Sequence, residues 1–93
     1  MDINELRKRL DAIDDEIVKL YLERMSVVRD VGECKKSTGK SIADPSREKD
    51  ILLRIMRTVP DELKNYVEQL FNTVFSTSKA YQSATIGNTN DPR

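Results

Sequence analysis

Between Ile3 and Cys34 one seam repeats at alternating steps of three and four residues: Ile3, Leu6, Leu10, Ile13, Ile17, Leu20, Arg24, Val27, Val31 and Cys34. That spacing is a single stripe on one long helix built to lie along another helix. From about Asp2 to about Lys36, at ~1.5 Å per residue, the helix would be roughly 50 Å long. A compact domain of this chain length has a radius of gyration of only about 12 Å. The remaining apolar segments are too short to sheath such a rod. The simplest cover is a second copy, so the expected state is an interlocked homodimer.

Composition narrows the partners. The 93 residues give room for one small domain, and 16 basic against 16 acidic residues leave a formal charge of zero. Phosphate-binding surfaces normally carry a basic excess, so a nucleic-acid partner is not expected. One cysteine and no histidine leave neither an intrachain disulfide nor a metal-ligand cluster. No apolar run reaches membrane-spanning length, and the N-terminus enters charged amphipathic sequence directly. The expectation is a soluble, cytoplasmic, all-α protein.

Asp2 or Asn4 caps the first helix, Glu5 suits its positive end, and Lys35 and Lys36 followed by Ser37, Thr38 and Gly39 mark its finish. Ser37 to Ala43 reads as a loop. Gly32 weakens the helix locally, which a close approach by another backbone or a ligand would explain. Asp44-Pro45 then opens a short second helix with an N-cap carboxylate and proline in the first turn. Its apolar face is Ile51, Leu52, Ile55 and Met56, and it is expected to stop around Val59-Pro60. Asp61 is expected to cap a third helix whose stripe is Leu63, Val67, Leu70, Phe71, Val74 and Phe75, continuing by position into Ser78, Tyr81 and Gln82. Residues 1–82 form the expected domain. The polar, aperiodic stretch Ser83 to Arg93 reads as a frayed tail or linker.

Polar residues interrupt all three apolar stripes. Arg24 in the long seam is costly to bury unless an anion meets it. Lys35, eleven residues on, falls within about 20° of the same face, across the patch around Val28 and Val31. Arg7 lies ~25 Å from Arg24 along the axis and faces roughly 100° away, so the two cannot meet one small ligand from one straight helix, whereas an antiparallel partner could bring its own Arg7 to the Arg24 site. Asp44, Arg47 and Glu48 occupy the first turn of the second helix, where amides and the positive dipole end face outward. Ser78 and Gln82 share a face of the third. This set suits a compact dianion bearing a hydroxyl, and it lacks a nucleophile paired with a base. Structural readings exist for each residue. Arg24 can pair with Glu23, Asp14 or an acid on the partner, and Lys35 can serve only the helix dipole. Arg47 and Glu48 can be a solvated helix start, Ser78 and Gln82 a satisfied polar spot, and Cys34 a small buried apolar residue.

The chain resembles chorismate mutase of the all-helical class from Ile3 to about Gln82. The resemblance rests on Leu6-Arg7-Lys8-Arg9-Leu10-Asp11-Ala12-Ile13-Asp14, Leu22-Glu23-Arg24, Val31-Gly32-Glu33-Cys34-Lys35, Asp44-Pro45-Ser46-Arg47-Glu48 and Ser78-Lys79-Ala80-Tyr81-Gln82. It implies three helices in a domain-swapped homodimer with two identical sites, each completed by Arg7 of the other chain. The implied reaction is the Claisen rearrangement of chorismate to prephenate in phenylalanine and tyrosine biosynthesis, an isomerisation that needs no cofactor. By the family pattern Lys35, Gln82 and Glu48 are catalytic, and Arg7, Arg24, Arg47, Asp44 and Ser78 bind substrate. Gln82, an amide, needs no acid pH to donate. The alternatives are an isochorismate pyruvate lyase, which shares the fold, and a non-catalytic helical dimerisation or regulatory module. The tail resembles junctions in bifunctional enzymes, particularly those joined to prephenate dehydratase, which implies a fused downstream aromatic-pathway domain.

Overall fold

The computed structural model describes residues 2–87. Its three helices are α1 (Ile3–Ser37), α2 (Pro45–Met56) and α3 (Lys64–Gln82), and no strand occurs among the described residues. None of the helices is long and apolar enough to cross a membrane.

Helix α1 begins where the Asp2 side chain accepts the Asn4 amide at 3.0 Å, and its first turn carries Glu5 against the positive dipole end. It ends in a Schellman motif. Gly39 takes a positive φ of 71°, which only glycine adopts cheaply, while the Lys40 and Gly39 amides return to the Lys35 and Lys36 carbonyls at 2.8 and 3.3 Å. Asp44 caps α2 as expected, accepting the Arg47 amide at 3.1 Å, and Pro45 fills the first turn.

Two boundaries differ from the sequence reading. Helix α2 stops at Met56, with tighter bonds from the Thr58 and Val59 amides to Ile55 and Met56 carrying the chain into Pro60. Pro60 disfavours helical backbone in the residue before it. Asp61 does not cap α3: it opens a 3-10 turn, Asp61–Leu63, and its carboxylate pairs with Lys64 at 2.9 Å. That lysine holds the Asp61 carboxyl below its ordinary pKa. Beyond Gln82 the chain continues as one wide π turn, Ser83–Gly87, so the start of the expected tail is helical. Residues 88–93 of that tail lie outside the described residues.

Thr77, Ser78 and Gln82 of α3 meet Tyr21, Arg24 and Val28 of α1 in ascending order, so α3 runs parallel to the C-terminal half of α1. Helix α2 packs on α3. The chain is a rod, 56 × 28 × 18 Å with a radius of gyration of 16.8 Å, well above the value of about 12 Å for a compact chain of this size. Its interior is thin. Phe75 is the only buried apolar side chain among the described residues, with Phe71 beside it at a 6.0 Å ring separation. The seam of α1 is left open: Ile3, Leu10, Ile13, Ile17, Leu20, Val27 and Val31 are 43–59 % exposed. Cys34, expected to be buried, is exposed at the end of this uncovered stripe.

Candidate active site

The C-terminal half of α1, the start of α2 and the end of α3 surround a cavity of about 250 Å³, just below the usual ligand-site range of ~300–1,000 Å³. Val27, Val28, Val31, Ile42, Ile51 and Phe75 form its apolar wall. Into that wall project Arg24 and Lys35 from α1, Asp44, Arg47 and Glu48 from the start of α2, and Ser78 and Gln82 from α3. The polar breaks on three separate stripes therefore converge on one space. Arg7 is not among them: it is exposed on α1, ~25 Å along the axis from Arg24.

Helical spacing explains the convergence. Ser78 and Gln82, four residues apart, stand one above the other on the face of α3 that meets α1, and both are buried, at 7 % and 5 % exposure. Ser78 Oγ donates to the Val74 carbonyl at 2.6 Å and accepts from Arg24 Nη1 at 2.7 Å. Beside it Tyr21 donates to Thr77 Oγ1 at 2.6 Å, and Thr77 donates to the same Val74 carbonyl at 3.2 Å. Two relays thus tie α1 to one point on α3, and the one through Ser78 holds the Arg24 side chain at the cavity. Among the described residues Arg24 pairs with no carboxylate, so the ion pair with Glu23 or Asp14 is not formed within the chain.

Gln82 Nε2 donates one hydrogen to the Val28 carbonyl at 2.8 Å, which fixes the amide plane and leaves its second N–H. Lys35 Nζ donates to the Ile42 carbonyl at 2.9 Å, pinning the loop before α2 rather than the last carbonyls of its own helix. Two of its three donors remain. Asp44 spends its carboxylate on the Arg47 amide, and Glu48 forms an ion pair with Lys79 at 3.0 Å.

Lys79 was missed as a site residue, although it precedes Gln82 by three positions and so shares its side of α3. With it, the cavity holds Arg24, Lys35, Arg47 and Lys79 against Asp44 and Glu48. Four cations over two carboxylates leave an excess of two positive charges and a surplus of N–H donors. The complementary ligand is a small dianion rich in acceptors, with an apolar body to meet the valines and Phe75. Among the described residues no cluster of metal-ligating side chains occurs.

The family model of type II chorismate mutase matches residues 6–83. The chain is 39 % identical over 80 residues to a chorismate mutase of Methanocaldococcus jannaschii, covering 84 % of this chain and 81 % of that protein. It is similar as well to bifunctional chorismate mutase/prephenate dehydratases. With that of Aquifex aeolicus the identity is 39 % over 56 residues, covering 60 % of this chain and 16 % of that enzyme. With that of Escherichia coli it is 27 % over 81 residues, covering 85 % and 21 %. The match takes in all three helices and every residue lining the cavity. The chain belongs to the type II chorismate mutase family.

Proposed function

We propose that the cavity binds chorismate and converts it to prephenate, and that the working unit is a homodimer in which the partner's Arg7 completes each site. The observation that carries this reading is the meeting of Arg24, Lys35, Arg47 and Gln82 around one apolar-walled space with a net excess of positive charge.

The Claisen rearrangement breaks a carbon–oxygen bond and forms a carbon–carbon bond within one molecule, so no covalent intermediate, cofactor or paired nucleophile and base is required. The substrate is a flexible dianion, and much of the barrier lies in holding it in the compact reactive conformer. Arg24 and the partner's Arg7 grip its two carboxylates, Arg47 supports that end, and Ser78 lines it. Bidentate guanidinium contacts hold a carboxylate in both position and plane. Lys35 and Gln82 donate to the ether oxygen, which gains negative charge as its bond to the ring breaks. Donors fixed where charge develops favour the transition state over bound substrate, typically by 10²–10³-fold each. Glu48 accepts from the ring hydroxyl, with Lys35 and the Asp44 backbone beside it.

The open α1 seam supports the dimer. A protomer that buries Phe75 as its only apolar side chain among the described residues, and leaves seven seam residues about half exposed, has too little interior to fold alone. We assign residues 1–82 to the mutase domain and 83–93 to a tail or linker, and place the enzyme in phenylalanine and tyrosine biosynthesis in the cytoplasm. The similarity to bifunctional enzymes supports a fused downstream aromatic-pathway domain as a further partner.

The test is direct. Purified protein is incubated with chorismate, and with isochorismate, and products are followed. Prephenate from chorismate, lost in Lys35→Ala, is the expected result. Pyruvate from isochorismate without prephenate would move the assignment to a lyase, and no turnover of either would leave a non-catalytic helical module.

A further inference from the structure

Lys79 is the one cation of the cavity with no part in the scheme above. Its ammonium lies 3.0 Å from Glu48 Oε2, joining the end of α3 to the first turn of α2. Glu48 is the more shielded partner, at 27 % side-chain exposure against 42 % for the lysine. We propose that Lys79 is a positioning residue that aims the Glu48 carboxylate at the substrate's ring hydroxyl and offsets its charge; this rests on the role given to Glu48 above.

A carboxylate inside a site for a dianion is a liability. Unrestrained, Glu48 repels the ligand's own carboxylates and competes for Arg47 and Lys35, which line the same space. The pairing with Lys79 draws one oxygen toward α3 and balances its charge. A carboxylate has about four acceptor positions, so one lysine leaves capacity for a hydroxyl donor. The lysine acts from the next helix over, so it also fixes the distance between the start of α2 and the face that carries Gln82.

Lys79→Met removes the charge at similar length on a partly exposed helix position, and circular dichroism is expected to show the fold retained. The expected result is a loss of roughly tenfold in kcat/KM, with Lys79→Arg retaining most activity. In a Glu48→Gln background the same substitution is expected to cost less than twofold, because the carboxylate it serves is gone. Inhibition by a cyclic dicarboxylate bearing a ring hydroxyl weakens in Lys79→Met, while inhibition by its hydroxyl-free counterpart does not. Full activity in Lys79→Met, or an equal loss with and without Glu48, overturns the proposal. If Glu48→Gln alone is fully active, the role of Glu48 falls and this inference falls with it; if Glu48→Gln is impaired and Lys79→Met is not, only the inference falls.

Discussion

Arg24 Nη1 donates to Ser78 Oγ at 2.7 Å, and the serine hydroxyl in turn donates a hydrogen bond to the Val74 carbonyl at 2.6 Å. A cation in an apolar helix seam is thereby held by a neutral hydroxyl rather than by a carboxylate. Its charge is not cancelled by a carboxylate among the described residues, which leaves most of its five donors to an anion.

Ser78→Ala removes that hold without touching the charge. The guanidinium keeps its attraction for a carboxylate but loses its aim. The expected cost is about tenfold in kcat/KM, with stability lowered by about 1 kcal/mol for the lost hydrogen bond. Arg24→Ala, which removes the charge itself, is expected to lose more than ~10³-fold, since a charge-assisted contact made throughout the reaction disappears. Steady-state kinetics beside urea melts separate the two effects. A Ser78→Ala enzyme as inactive as Arg24→Ala would show that the serine does more than position the arginine.

Gln82 offers a second separation. Its amide donates at any ordinary pH, so the native enzyme is expected to need no acid conditions. Gln82→Ala should lose ~10²–10³-fold in kcat. Gln82→Glu places an acceptor where a donor is required, and only the protonated acid, favoured toward and below its reference pKa of about 4.3, can donate. Its activity should therefore climb as pH falls, while the parent profile stays flat. A flat profile in Gln82→Glu would remove Gln82 from the ether oxygen.

Much of this was legible in the chain because helices write their faces in simple arithmetic. The eleven-position separation of Arg24 and Lys35, and the four-position separation of Ser78 and Gln82, decide which side chains share a wall. Asp44-Pro45 marked the start of α2 through capping chemistry that needs no tertiary context. What was hidden depended on neighbours. Lys79 could not be assigned to the cavity until α2 and α3 were set side by side, because its partner is thirty-one positions away. The Tyr21–Thr77 relay was invisible for the same reason. Asp61 looked like a cap, but Pro60 already sets the extended backbone ahead of the turn, and the carboxylate finds Lys64 instead.

The seam makes a prediction that a lone protomer would not. Ile17 is 57 % exposed in the protomer, where Ile17→Asp would cost almost nothing. In a dimer it buries a charge between two apolar helices, and a single such change repeated by symmetry costs several kcal/mol. Analytical ultracentrifugation and thermal melts at two protein concentrations are expected to show loss of the dimer and of cooperative unfolding. A variant that melts like the parent, independent of concentration, would show that the stripe is not an interface.

If Arg7 of one chain serves the Arg24 site of the other, complementation between two inactive variants will report it. Arg7→Ala and Arg24→Ala proteins, each inactive alone, are unfolded together, refolded and assayed with chorismate. A heterodimer carries both lesions at one site and neither at the other. With random pairing, half the dimers are mixed, so activity should return to about a quarter of the parent's. Full activity in either single variant, or a refolded mixture that stays inactive while its dimers exchange and bind substrate, would show that Arg7 does not complete the partner's site.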